Sequence, residues 1–200
     1  MTSGEILGHL TVAALIFMLL PVTRWSLVAR AGAFAGMLGL ALVPVAGLSI
    51  GDYTRSYTDD VAMTSLLWLL WGVVTRVSGR PQTSLSHHRQ LAIVFAVLAL
   101  ALYPATLGLA AQDPYRLGFS PAPMLVAAWL LCLGLWWLGN GLAVALISLA
   151  TLACLLDIKD SDNYWDYLVD PLLGIYCCVY LVRDRWRQWR AQRIAANGIA

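Results

Sequence analysis

Long apolar runs separated by short polar punctuation set the pattern of this chain. They occupy residues 6–21, 27–50, 61–77, 91–111, 124–138, 142–156 and 167–182. Each run is close to the length a helix needs to cross a bilayer, roughly 20 residues. The fifth and sixth are parted only by Gly139-Asn140-Gly141. One helix through both would be about 50 Å long at 1.5 Å per residue, against a hydrocarbon core of about 30 Å. Asn-Gly is a turn signal and glycine tolerates the left-handed conformation at a helix end, so two helices in a tight hairpin are predicted. The pattern predicts an all-α integral membrane bundle of seven transmembrane helices, an N-terminal helix followed by three helical hairpins. Residues 1–182 form the transmembrane domain and 183–200 a basic cytoplasmic extension.

Composition agrees with this reading. The chain is 60% hydrophobic and 12% charged, where soluble domains carry about a quarter charged residues. With short loops between seven spans, no separate soluble module is expected. The first run lacks a basic leader and a small-x-small cleavage site after Pro21, so it reads as an uncleaved helix.

Charge gives the orientation. With the N-terminus outside, one face receives Arg24, Arg30, Arg76, Arg80, Arg89, Arg183, Arg185, Arg187, Arg190 and Arg193, and the other only Arg55, Arg116 and Lys159. That asymmetry places the N-terminus in the periplasm and the C-terminus in the cytoplasm of a bacterial inner membrane. The acidic residues segregate oppositely: Glu5, Asp52, Asp59, Asp60, Asp113, Asp157, Asp160, Asp162, Asp166 and Asp170 fall outside, and Asp184 alone falls inside. Acidic residues contribute little to orientation, so their placement calls for another cause.

Three outer loops share a loose motif: Asp52-Tyr53-Thr54-Arg55, Asp113-Pro114-Tyr115-Arg116 and Asp162-Asn163-Tyr164-Trp165. In the third, Asp162, Asp166 and Asp170 recur every four residues, with Tyr164, Trp165, Leu168 and Val169 on a neighbouring face. A helix on the membrane surface has this polarity. Like charges at that spacing repel, so a divalent cation, Arg55 or Arg116, or a basic partner would offset them. In the alternative, Asp170 caps the last helix ahead of Pro171 and the rest are solvated loop charges. The candidate binding residues are therefore Asp52, Tyr53, Arg55, Asp113, Tyr115, Arg116, Asp162, Tyr164, Trp165, Asp166 and Asp170. No catalytic residue is assigned and no cofactor is expected, apart from a divalent cation at the outer aspartates.

Other residues narrow the function classes. The four cysteines sit in apolar runs without metal-site spacing. Glu5 and His9 are one turn apart and permit a local pair. His87 and His88 read as loop residues, and Gly32-x-x-x-Gly36 as a packing face for another helix. Ion-coupled transport usually needs ionisable groups at mid-depth, which this chain lacks. Retinal binding needs a lysine in the last helix, also lacking. The arginines and tryptophans of residues 183–193 suit anionic inner-leaflet lipids better than nucleic acid, and no nucleic-acid partner is expected. What remains is a non-catalytic membrane subunit binding an envelope lipid, glycan or partner enzyme through its acidic, aromatic outer face. A membrane enzyme using the outer aspartates, and a small-molecule transporter, stand as alternatives.

The stretches Gly51-Asp52-Tyr53 through Ser65-Leu66-Leu67, Gln112-Asp113-Pro114-Tyr115-Arg116-Leu117-Gly118 and Asp162 through Pro171 together resemble a group of small polytopic bacterial inner-membrane proteins. The first stretch departs most from the group's pattern. The resemblance implies a place beside envelope-modifying transferases that put phosphoglycerol or phosphoethanolamine on glycans and lipids, and it implies no catalytic residues in this chain.

Overall fold

The computed structural model describes residues 3–58, 60–80, 83–109 and 112–196. Asp59 and the last residues of the 91–111 run lie outside them. The described chain is almost wholly helical: α1 (Ser3–Leu19), α2 (Leu27–Ala41), α3 (Ile50–Thr58), α4 (Met63–Ser78), α5 (Leu85–Thr106), α6 (Pro121–Trp137), α7 (Gly141–Leu155), α8 (Trp165–Leu168) and α9 (Pro171–Ala196). An all-α architecture is thus observed.

The helices end where the chemistry stops them. Gly139, with φ of 72°, follows the last turn of α6. Asn140 then starts α7, its side-chain oxygen accepting from the Ala143 amide at 3.1 Å. The predicted hairpin is present. The second apolar run behaves differently. It does not stay helical to residue 50, because Pro44 has no amide hydrogen to continue the ladder. Instead, Pro44–Val45 pairs antiparallel with Leu48–Ser49. Ala46 and Gly47, both at positive φ, make the two-residue turn between them, the geometry of a tight hairpin.

Three further expectations are corrected. His87 and His88 are not in a loop: they lie in the first turn of α5, which Ser84 caps through the His87 amide. The His88 ring packs against Trp68, Tyr176 and Tyr180. The Gly32, Gly36 and Gly39 face of α2 meets no other helix within 4 Å of where a Cβ would sit. A small-residue stripe permits close approach but supplies no partner. Of the two readings of residues 161–170, the single acidic helix is not formed, since α8 covers only Trp165–Leu168 and Val169 is extended, and Asp170 caps α9 as the other reading expected.

Length separates the apolar helices. Among the described residues, α5 alone is long and apolar enough to cross a membrane by itself. The apolar helices α1, α2, α4, α6 and α7 run 15 to 17 residues, about 22–26 Å at 1.5 Å per residue.

α5 packs on α9, α6 on α7, and α1 on α2, α3 and α4. The main core holds Leu91, Phe95 and Ala99 of α5, Ala143, Ile147 and Ala150 of α7, and Tyr167 of α8. Small residues set the spacing. A Cβ at Gly174 of α9 would stand 2.6 Å from the Ala99 Cβ, so only glycine admits this approach.

The loops sort to two ends. At the arginine-rich end, Arg76 donates to the Phe17 and Leu20 carbonyls at 3.3 and 3.2 Å, satisfying the end of α1. Arg30 does the same for α4, reaching the Arg76 and Val77 carbonyls at 3.1 and 3.4 Å. Cations at helix C-termini oppose the negative end of the dipole. Arg89 of α5 faces Asp184 of α9 at 3.6 Å. The other end is acidic.

Candidate functional site

At the acidic end the three loops are stitched into one platform, and Lys159 is its centre. This residue is 6% exposed. Its Nζ donates to the Asp60, Val61 and Asp166 carbonyls at 2.9, 3.1 and 2.9 Å. One ammonium therefore ties the chain ahead of α4 to α8. Beneath it lies the Tyr167 ring, whose hydroxyl donates to the Lys159 carbonyl at 3.1 Å and accepts from the Lys159 amide at 3.2 Å.

The second and third loops meet through Asn163. Its side-chain nitrogen donates to the Tyr115 carbonyl at 3.0 Å, and its oxygen accepts from the Trp165 amide at 2.9 Å. Trp165 Nε1 adds a bond to the Pro114 carbonyl at 2.9 Å, and the Tyr164 amide one to the Gly118 carbonyl at 3.0 Å. Gly118 is needed here, because a Cβ would fall 1.7 Å from the Asn163 oxygen. Tyr164 is buried, and burial pushes its phenol up.

The predicted residues take distinct places on this platform. The Asp166 carboxylate accepts from the Tyr115 hydroxyl, at 3.1 and 3.0 Å to its two oxygens, and from Ser161 Oγ at 2.5 Å. Asp170 is buried, taking the Leu173 amide at 2.7 Å as the cap of α9 and the Ala62 amide at 2.8 Å ahead of α4. Asp113 caps the 3-10 turn Pro114–Phe119 through the Tyr115 amide. Asp113, Arg116 and Asp162 are exposed, and Tyr53 is half-buried.

The first motif forms its own corner. Ser49 and Asp52 make a reciprocal cap at the start of α3. The Asp52 amide donates to Ser49 Oγ at 3.0 Å and the Ser49 amide to the Asp52 carboxylate at 3.1 Å. Ser49 Oγ also donates to that carboxylate at 2.6 Å. These bonds from Ser49 hold the Asp52 carboxyl below the ordinary carboxylate range. Buried His9 braces the cap, with Nε2 2.7 Å from Ser49 Oγ and Nδ1 on the Glu5 backbone carbonyl. Because the Ser49 proton goes to the carboxylate, the serine is not set up for attack with histidine as base. Arg55 does not reach the third loop. It pairs with Asp60, Nε to Oδ1 at 2.6 Å, and the Asp60 carboxylate raises its pKa.

Asp166 and Tyr115 are brought together, then, and Asp170 is joined to the chain ahead of α4, while Asp52 and Arg55 stand beside α1. Among the described residues, no three His, Cys, Asp or Glu side chains gather closely enough to hold a metal ion. Sequence reasoning did not single out Lys159, Asn163 or Ser49. The sole lysine in a chain whose other twelve basic residues are arginines, and the Ser-x-x-Asp spacing of a capping box, were the available signals.

Compared with known proteins, the chain matches no family model, no curated protein and no solved structure.

Proposed function

We propose that the chain is a seven-span protein of a bacterial inner membrane, acidic end in the periplasm, acting as a non-catalytic subunit that receives an envelope lipid or glycan headgroup, or a partner enzyme. The observation that carries this reading is the platform itself. Its buried bonds hold a carboxylate and a phenol, Asp166 and Tyr115, half-buried beside the exposed Asp162 and Arg116. A fixed rim of mixed charge with an aromatic face suits a polar headgroup, since rings pack on apolar faces while oxygens accept hydrogen bonds. The resemblance of the three loops supplies the partner class, a phosphoglycerol or phosphoethanolamine transferase.

Membrane placement is supported by the apolar outer surface: Leu100, Trp129 and Ile175 are each more than 60% exposed, an arrangement costly in water over a whole bundle. The shorter apolar helices fit with modest local thinning of the bilayer. The C-terminal part of α9, with the Arg193 guanidinium 4.1 Å from the Trp189 ring centroid, suits anionic lipids of the inner leaflet.

A non-catalytic role accords with the engagement of the aspartates. Asp170 is a cap, and Asp166 accepts two hydroxyls, which leaves neither poised as a general acid or base. The test is a combined Asp162→Asn, Arg116→Gln, Asp166→Asn variant purified from envelope membranes. Loss of the co-purifying glycolipid or transferase is expected. Retention of both at wild-type levels would sink the reading.

A further inference from the structure

The corner where α3 meets α1 cannot be satisfied by a neutral histidine. His9 is 4% exposed, and its ring packs so closely on Gly51 that a Cβ there would stand 2.7 Å from the ring Cδ2. Both ring nitrogens have polar neighbours: Nδ1 meets the Glu5 carbonyl, and Nε2 lies 2.7 Å from Ser49 Oγ. A carbonyl oxygen only accepts, so Nδ1 carries a proton.

The state of Nε2 follows from Ser49. A serine hydroxyl has one proton to give and two lone pairs to receive with. Its oxygen is 2.6 Å from the Asp52 carboxylate, which the bonds from Ser49 keep ionised, so the proton points there. One lone pair takes the Asp52 amide at 3.0 Å. The other faces Nε2, and two lone pairs at that distance would repel. Nε2 therefore donates as well. Passing its proton through Ser49 to Asp52 would leave the same number of protons in the chain of bonds, but the carboxylate is the weaker base.

We infer that His9 is an imidazolium in the closed corner, and that its second proton pins α1 to the 44–49 hairpin and the first turn of α3 in a pH-sensitive latch. Loss of that proton removes one bond and sets Nε2 against Ser49 Oγ, where the buried ring has little water to replace the partner. The charged groups around the ring are Glu5 of α1, Asp52 and Arg55 of α3, and Asp60 ahead of α4. Arg55 is held by Asp60, while the Asp52 carboxylate stands across Ser49 as the counter-charge of the ring. Arg30 of α2 and Arg76 of α4 lie at the opposite end of the bundle. The latch depends neither on the membrane placement nor on the headgroup rim proposed above. In that topology it answers to the pH of the periplasm.

The test uses the full chain in detergent micelles, isotopically labelled at histidine. The chain has three histidines, so the His9 signals are assigned by their loss in His9→Gln. Ring-nitrogen shifts count the protons on His9 between about pH 5 and about pH 9. Amide exchange over residues 44–58, corrected for the intrinsic rate at each pH, reads the closure of the corner. Two ring protons and a protected corner are expected at the acid end. At the alkaline end one ring proton is expected, with protection of the corner about tenfold lower and that of α5 and α9 unchanged. Asp52→Asn offers Ser49 an amide donor in place of an acceptor and so frees the hydroxyl proton for Nε2; protection of its corner should not change with pH. A singly protonated His9 in a protected corner at the acid end, equal wild-type protection at both ends, the same pH response in Asp52→Asn, or loss of protection in α5 and α9 together with the corner would each overturn the inference.

Discussion

A lysine surrounded by carbonyls is an economical fastener. The compact ammonium of Lys159 donates to the carbonyls of Asp60, Val61 and Asp166, and a flat guanidinium would not aim at all of these. Lys159→Met should lower stability by about 3 kcal/mol, from charge-assisted bonds lost and buried carbonyls left open. Thermal unfolding in detergent measures this, with Lys159→Arg recovering only part of the loss. Asp52 acts at the same scale through pH. Its carboxyl sits below the ordinary value in the folded chain, so its contribution is fully present above about pH 3.9 and is lost as pH falls through the lower folded value. The melting temperature of the wild type should therefore drop more between about pH 6 and about pH 3 than that of Asp52→Asn. An equal drop in both would remove Asp52 from the acid response.

At the scale of elements, helix ends are closed from a distance. Arg76 finishes α1 and Arg30 finishes α4, each from another helix, so the arginines that mark the cytoplasmic side in the proposed topology also satisfy terminal carbonyls. Asp170 closes α9 and at the same time holds the chain entering α4. Asp170→Ala should cost about 2 kcal/mol, and Asp170→Asn, which keeps one acceptor, about half as much; equal melting of both variants with wild type would contradict the double role. The positions of most helices could be read from the apolar runs, and the Asn140 break from its turn chemistry. The hairpin at residues 44–49 was hidden because its surroundings are as apolar as a helix. The tie of Asn163 to Tyr115 was hidden for another reason: contacts 48 residues apart leave no periodic trace.

For the whole molecule, the segregation of charge and the clustering of loops agree. Lys159 and Asn163 join described loop segments at the acidic end, and Arg30, Asn140 and Arg89 connect segments at the other. A phosphatase reporter fused after Arg193 should stay inactive, while one inserted near Asp162 should be active; the reverse pattern would invert the proposed topology. Of the candidate site, the three loop motifs could be read along the chain, but not how they bond to one another. The aspartates look alike along the chain, and only their neighbours separate the cap at Asp170 from the rim at Asp166.

Lys159 also makes the molecule unusually simple to interrogate. The chain contains one lysine, so an acylating reagent has a single side-chain amine to find, and finds it only when the loops around it part. The rate at which that amine is modified would clock the opening of the acidic end. A ligand that grips the rim should slow the clock in proportion to its occupancy, read from intact mass without any label or knowledge of the ligand's identity.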